Sequence, residues 1–134
     1  MSEDYEIPEN LYYTKEHEWA RIEDNLVVMG ITDYAQTQLH EVVYVELPEV
    51  GSEVEQMDAI GTVESIKAVS EIYTPVSGRI VEVNRSLEDR PELVNEDPYG
   101  EGWIAKIQPT NLEEDLKSLM NAEEYAEYLR TLEE

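Results

Sequence analysis

The run from Gly61 to Gly78, GTVESIKAVSEIYTPVSG, restricts the possible folds of this chain more than any other feature of its sequence. Apolar residues recur at every third position from Ile60 to Ile72, a spacing between the strand period of 2 and the helical period of 3.6. Many residues of the run are β-branched, which makes their side chains stiff at χ1 and disfavours a helix. The run also contains one lysine, Lys67, in a chain that has only four.

Two structures can accommodate this spacing. In a helix, Lys67 would lie three residues after Glu64 and four before Glu71, and would be an exposed lysine in ordinary salt bridges. The glycines and the proline of the run oppose a continuous helix, so two strands separated by a break are favoured. A one-residue change of phase at a turn would convert strict alternation into the observed spacing, and the sequence places that turn between Ile66 and Val69.

The charge balance excludes two classes of partner. Nine lysines and arginines are set against thirty-two aspartates and glutamates, for a formal net charge of −23 at pH 7. A field of this sign repels phosphate backbones and anionic lipid headgroups, so we expect no nucleic acid and no membrane as a partner. No apolar run approaches the roughly 20 residues of a spanning helix, and the first ten residues do not resemble a signal peptide. With no cysteine, these features predict a soluble, cytoplasmic protein.

The sequence contains few residues that could bind a metal and none that could act as a thiolate. The absence of cysteine excludes disulfides, thiolate catalysis and cysteine zinc sites, and the only histidines are His17 and His40. The segment HEWAR that begins at His17 lacks the second histidine of a zinc-binding HExxH helix. We therefore expect His17 to pack or to form a hydrogen bond beside Trp19, and we expect no metal site.

The chain length of 134 residues corresponds to about one domain. Within it, we expect residues 1–10 to form a mobile acidic tail, because they are polar and show no regular apolar period. Residues 11–109 are expected to form the β domain that presents the lysine. Residues 110–134 are expected to form helices that pack on the same domain.

Local patterns predict the other strands. Residues 19–22 and 26–31 flank a turn-forming segment and read as a hairpin, and residues 42–47 form a strand that a proline ends. Strict alternation over residues 80–84 predicts a regular strand, and a further strand is expected over residues 103–107.

Capping signals predict the helices. Thr32 and Asp33 can cap a short helix that runs through Leu39. Capping-box spacing of Thr110 with Glu113, and of a second pair, Asn121 with Glu124, predicts the starts of two C-terminal helices.

Lys67 could act as a nucleophile or as an attachment point. A nucleophilic lysine must be neutral, yet at a pKa near 10.4 only about one lysine in 2,500 is uncharged at pH 7. Glu64 and Glu71 favour the ammonium form, which argues against Schiff-base catalysis. An exposed turn between stiff strands instead suits a lysine to which an enzyme attaches a cofactor by an amide bond. In that case Glu64, Ser65 and Ala68 serve recognition by the attaching enzyme.

The run around Lys67 strongly resembles the lipoyl-attachment segment of the glycine cleavage system H protein family. The resemblance covers roughly residues 11–132 and includes four further blocks in the same order: YTKEHEW (13–19), GITDYAQ (30–36), VELP (45–48) and NEDPYGEGW (95–103). Biotin carriers fit less well, since they usually have methionines on both sides of their lysine. Lipoyl domains of 2-oxo acid dehydrogenases also fit less well, because they lack the HEW and DPYGEGW blocks.

This resemblance implies a mainly β fold, the barrel-sandwich hybrid of two small antiparallel sheets. The lysine would lie at a hairpin tip, and a short internal helix and C-terminal helices would complete the domain. It also implies a non-catalytic carrier with lipoate attached covalently to Lys67. Its partners would be the P protein, a decarboxylase that supplies the aminomethyl group of glycine; the T protein, an aminomethyltransferase; the L protein, a dihydrolipoyl dehydrogenase; and a lipoate-attaching enzyme.

Individual positions also match the family. Glu18 matches a position that contacts the loaded arm, and a carboxylate suits the cationic aminomethyl nitrogen. Glu71 lies where the family often has an acid, and the resemblance implies that it binds the cofactor together with Glu18. Where the family commonly has glycine and an acid after the short helix, this chain has His40 and Glu41. A histidine there implies mild strain or a different helix cap.

Two other functions stay open at the level of the sequence. One is a lipoyl or biotinyl carrier that serves another multienzyme complex. The other is an unmodified acidic interaction module of the same fold.

Overall fold

Two antiparallel sheets make up most of the computed structural model, which describes residues 5–132. The strands are β1 (Tyr12–Tyr13), β2 (Glu18–Glu23), β3 (Leu26–Ile31), β4 (Val42–Glu46), β5 (Glu53–Val54), β6 (Ala59–Ser65), β7 (Val69–Tyr73), β8 (Gly78–Val83) and β9 (Ala105–Pro109). The helices are α1 (Asp33–Leu39), α2 (Ser86–Asp89), α3 (Leu93–Glu96), α4 (Leu112–Leu116) and α5 (Ala122–Leu132). One sheet has the order β1-β2-β3-β9-β8-β5 and the other has the order β4-β6-β7. The prediction of a mainly β barrel-sandwich hybrid is confirmed.

The β-branched run folds as the hairpin β6–β7, and the helical alternative is wrong. The two strands pair antiparallel from Ala59↔Tyr73 to Glu64↔Val69, and the turn lies between Ile66 and Val69 as expected. A second irregularity, between Ala59 and Gly61, also shifts the phase. At Gly61 an added Cβ would lie 2.3 Å from the carbonyl oxygen of Glu46, so the bulge needs a residue without a side chain.

The first hairpin and helix also agree with expectation. Strands β2 and β3 pair over their full length, around a turn in which Asp24 has a φ of 55°. The side chain of Thr32 accepts a hydrogen bond from the backbone N–H of Ala35 at 3.2 Å, which caps the start of α1.

Strict alternation in β8 is a wrong prediction. The register shifts between Ile80 and Glu82, so both Ile80 and Val83 are buried although they are three residues apart. A β-bulge of this kind adds one residue to a strand and changes which face the following side chains occupy. The strand expected to begin at Trp103 begins at Ala105.

The two C-terminal helices differ in how they start. The capping box expected from Thr110 is wrong, because α4 starts after Asn111 without a side-chain cap. The second capping box is confirmed, since Asn121 and Glu124 exchange hydrogen bonds of 2.9 and 2.8 Å between the side chain of each and the backbone N–H of the other.

Two apolar clusters stabilise the domain. The larger cluster includes buried residues of both sheets, among them Met29, Val63 and Ile107. The smaller cluster joins α5 to the first three strands, and its rings of Tyr13 and Tyr125 stack in parallel with centroids 4.6 Å apart. Helix α5 therefore packs on the sheet and is not a free extension.

The N-terminal segment is described from residue 5 onward, and residues 1–4 of the predicted mobile tail lie outside the described residues. The backbone N–H of Glu6 donates to Asp33, and the hydroxyl of Tyr99 donates to the carbonyl of Glu6 at 2.7 Å. The division into a tail, a β domain and C-terminal helices stays a prediction. Within residues 5–132, no helix combines the length and the apolar character needed to cross a bilayer.

Candidate functional site

The turn that presents Lys67 is fixed by the side chain of Ser65. Its buried hydroxyl oxygen accepts hydrogen bonds from the backbone N–H groups of Lys67, at 3.1 Å, and Ala68, at 3.0 Å. The backbone N–H of Ser65 donates to the carbonyl of Ala68 at 2.8 Å and closes the hairpin. Ser65 thus provides hydrogen-bond partners for the backbone N–H groups of the turn, as in an ST-turn.

The side chain of Lys67 projects from this turn into solvent. Lys67 is exposed, and within the described residues it has no ion-pair partner. Its neighbours in the turn, Ile66 and Ala68, are exposed as well. An exposed amine lacks the burial by which nucleophilic lysines are desolvated.

The predicted recognition residues lie in or beside the lysine turn, Glu71 lies two residues further along β7 than Val69, and Glu18 lies at the far end of that strand. Glu64 is exposed at the end of β6, opposite Val69. Glu71 is exposed on β7 and pairs with Thr62. Ser65 and Ala68 form the base of the turn itself.

Glu18 is a buried carboxyl group that connects the two sheets. It is 1% exposed; Oε1 accepts a hydrogen bond from the hydroxyl of Thr14, and Oε2 accepts one from the backbone N–H of Tyr73 at 3.0 Å. Burial raises the pKa of Glu18 to about 8, and the hydrogen bonds from Thr14 and Tyr73 act in the opposite direction. A large fraction of this group is therefore protonated at pH 7.

The contact with Tyr73 also locates Glu18 relative to the lysine. Strand β7 begins at Val69, next to the turn, and ends at Tyr73. The four residue steps between them span about 13 Å. An extended lysine side chain reaches only about 6 Å from its Cα. The amine of Lys67 therefore needs a long tether before a group attached to it can approach Glu18.

The side chains of His17, Tyr125 and Thr32 form a series of hydrogen bonds that the sequence did not predict. The ring Nδ1 of His17 lies 2.9 Å from the hydroxyl of Tyr125, which lies 2.8 Å from the hydroxyl of Thr32. His17 has a φ of 75°, in the left-handed region that few residues other than glycine adopt. Burial lowers the pKa of His17 to about 4, so its ring is neutral at pH 7.

The expectation that His17 packs or forms a hydrogen bond is confirmed, since its ring also contacts that of Tyr34, with centroids 4.7 Å apart. The apolar period of α5 marks Tyr125 as buried, but no local pattern pairs it with His17. Among the described residues, no group of three or more possible metal ligands occurs.

The two-sheet fold and the exposed lysine on a hairpin turn define a domain of the barrel-sandwich hybrid class. The family model for the glycine cleavage H-protein matches residues 11–132. With this match over most of its length, the chain belongs to the glycine cleavage H-protein family.

Individual relatives agree with this assignment. A protein of Pyrococcus horikoshii, described as a probable glycine cleavage system H protein, is 63% identical over 130 residues, which cover 96% of each chain. A glycine cleavage system H protein of Thermus thermophilus is 56% identical over 126 residues, which cover 94% of this chain and 98% of the relative. The crystal structure of a glycine cleavage system H protein from Mycobacterium marinum matches with a TM-score of 0.83 at 42% identity, covering 90% of this chain and 97% of that one.

Proposed function

We propose that this protein is the lipoyl carrier of a glycine cleavage system and that lipoate is attached to Nζ of Lys67. The main support is the exposure of Lys67 on a turn whose backbone Ser65 fixes, because an attaching enzyme needs an accessible amine in a defined position. Membership of the glycine cleavage H-protein family agrees with this role.

The attachment step needs an activated lipoyl acyl donor, such as a mixed anhydride or a thioester. The ammonium group of Lys67 loses two protons, and its nitrogen forms an amide bond with the acyl carbon. The leaving group departs with the electron pair of the broken bond. Lys67 is therefore an acceptor of the cofactor and not a catalyst.

When attached, the lipoyl group would supply a disulfide on a long tether. That disulfide could accept the aminomethyl group of glycine at the P protein and release it at the T protein, and the dithiol left behind would be reoxidised by the L protein with FAD and NAD. The residues of this chain fix the point of attachment and receive the free end of the tether. Among them, Glu64, Ser65 and Ala68 serve the lipoate-attaching enzyme, with Ser65 acting through the shape of the turn.

Glu18 is proposed to receive the cationic end of the loaded arm. Its carboxyl group lies at the end of β7 remote from the turn, which the arm can reach and the lysine alone cannot. Binding a cation there requires the ionised carboxylate, so it lowers the pKa of Glu18 and releases a proton wherever the group was protonated. Glu71 is exposed on β7 between the turn and Tyr73 and is proposed as a second acid along this path.

The test compares Lys67→Arg with Lys117→Arg, because both lysines are exposed and arginine keeps the charge. Each protein is incubated with a lipoate-attaching enzyme and its intact mass is measured. We expect one lipoyl group on the wild type and on Lys117→Arg, and none on Lys67→Arg. A wild type that gains no mass, or a Lys67→Arg variant with full glycine cleavage activity, would refute the proposal.

A further inference from the structure

We propose that four exposed apolar residues beside Lys67 form the docking surface for the enzyme that acylates this lysine. These residues are Val43, Tyr44, Ile66 and Val69, and we refer to them as the tip patch. The inference rests on the proposed function, since it names the surface through which the attaching enzyme recognises its substrate.

The tip patch arises from an irregularity in β4. The register of β4 against β6 shifts between Val42 and Tyr44, so that Val43 and Tyr44 are consecutive and both exposed, at 45% and 55%. Without the bulge, alternation would turn one of the two toward the core. The fold therefore places an additional apolar side chain on the outer surface at this position.

The same surface continues across the sheet to the turn. Tyr44 pairs with Glu64, which pairs with Val69, and residues directly opposite each other in antiparallel strands point to the same face. Val69 is 65% exposed. Ile66, 72% exposed, extends the patch, because its backbone N–H donates to the carbonyl of Glu41 just before β4. Several exposed apolar residues on one face mark a site of interaction.

The charges on this face define the chemistry of the partner. Glu64 lies between Tyr44 and Val69, and the next row of the outer face contains Glu46 and Glu71. In the part of the chain that the structure describes, none of these three carboxylates has a basic ion-pair partner. A complementary surface is therefore largely apolar, with one basic group opposite Glu64 within the patch and further basic groups opposite Glu46 and Glu71 at its edge.

The reach of the lysine identifies the acylating enzyme as the occupant. The Nζ atom lies at most about 6 Å from the Cα of Lys67, so the active site must approach the turn closely and cover its neighbours. Once the lipoyl group is attached, its reactive end extends much farther from the turn. An enzyme that acts on that end has no need to contact the tip patch.

The experiment measures kcat/KM for lipoylation by intact mass, with the double variant Tyr44→Thr and Val69→Thr as the test. Threonine removes most of the apolar surface and retains a β-branched side chain suited to a strand. The matched control is Ile22→Thr, because Ile22 is also an exposed apolar strand residue, at 41%, and lies in the other sheet. Thermal unfolding verifies the fold, and the single variant Tyr44→Thr repeats the test with a smaller change.

We expect kcat/KM to fall about tenfold in the double variant, as for the loss of apolar hot-spot residues, and to stay unchanged in the control. We also expect the double variant, once fully lipoylated with excess enzyme, to support glycine cleavage at the wild-type rate. Lipoylation of the folded variant at the wild-type rate would overturn the proposal. A lipoylated variant with equally reduced glycine cleavage would overturn it too, because the surface would then belong to the other partners.

Two further outcomes are distinguishable. A wild type that self-associates, when the double variant does not, would assign the tip patch to a second copy of this chain and overturn the proposal. A wild type that gains no lipoyl mass at all would overturn the proposed function, and this inference with it. If the wild type is lipoylated, a difference in lipoylation rate between the wild type and the double variant concerns the docking surface alone.

Discussion

The backbone N–H of Tyr73 donates to Oε2 of Glu18 across 3.0 Å, and this hydrogen bond joins a strand of the six-stranded sheet to an edge strand of the three-stranded sheet. Tyr73 ends the strand that leads back from the lysine turn. Glu18 therefore fixes the base of the hairpin whose tip presents Lys67. A group that binds Glu18 therefore acts on the element that presents Lys67.

The burial of Glu18 predicts a specific dependence of stability on pH. In the folded protein its pKa is raised to about 8, and in the unfolded chain it returns to an ordinary 4.5. Between these values the folded state holds one proton more than the unfolded state, so a rise in pH favours unfolding. The contribution of Glu18 is thus complete below pH 4.5 and is lost as the pH rises through about 8, at up to about 1.4 kcal/mol per pH unit.

Glu18→Gln isolates this contribution, because glutamine does not titrate. The free energy of unfolding is measured by urea titration at several pH values between 4.5 and 9 for both proteins. The wild-type value minus the variant value is expected to decrease with pH over this range. His17 is common to both proteins, so its own titration cancels in the difference. A difference that stays constant or increases would contradict the raised pKa.

Tyr125→Phe is expected to destabilise the fold by about 1–2 kcal/mol. The change keeps the stacked ring against Tyr13 but removes the hydroxyl that His17 and Thr32 share. Buried polar groups that lose a hydrogen-bond partner retain the cost of desolvation, which is about 1–3 kcal/mol. Urea unfolding with an unchanged m-value would measure the loss.

The control for this change is Tyr128→Phe on the same helix. Its hydroxyl donates to the carbonyl of Lys15 at 3.2 Å in an exposed position, where water can replace it. The expected cost is therefore below about 0.5 kcal/mol. Equal losses in the two variants would show that the buried hydroxyl group has no special role.

Ser65→Ala is expected to loosen the lysine turn and to slow its modification. The variant removes the oxygen that accepts hydrogen bonds from the backbone N–H groups of Lys67 and Ala68. We expect a loss of about 1–2 kcal/mol in stability, and a lower kcat/KM for lipoylation because the backbone that presents Lys67 is no longer fixed. Ser70→Ala is the control, since Ser70 is exposed on the adjoining strand. If Ser65→Ala were lipoylated at the wild-type rate, the attaching enzyme would not depend on the shape of the turn.

Local features of the sequence predicted the elements that local forces determine. The hairpin that presents Lys67 followed from β-branched residues and from the glycines and proline nearby. The cap at Thr32 and the capping box of Asn121 followed from residues within one helical turn. These features depend on residues that are neighbours in sequence, so the sequence alone is enough to predict them.

The bulges and the contacts of the buried polar groups could not be predicted in this way. The shift at Ile80 depends on which residues of β9 lie opposite, and the contact of Glu18 with Tyr73 joins residues 55 apart. His17 and Tyr125 are 108 residues apart. Such pairings depend on the relative placement of sheets and helices. No periodicity or spacing within one segment records that placement.

His40→Gly is expected to stabilise the protein by about 1 kcal/mol. His40 ends α1 with φ 66° and ψ −151°, a conformation close to one that glycine alone adopts readily, and such strain costs about 1–3 kcal/mol. Its backbone contacts persist in the variant, because its N–H donates to Gln36 and its carbonyl accepts from Asn95. Part of the gain is offset because glycine increases the entropy of the unfolded chain.

The opposite result is expected for Gln38→Gly, two residues earlier within the same helix. There the backbone is helical, so glycine gains no relief of strain and costs about 1 kcal/mol. Urea unfolding of both variants and the wild type gives the two free-energy differences with opposite signs. If His40→Gly were as destabilising as Gln38→Gly, contacts of the imidazole ring would outweigh the backbone strain at this helix end.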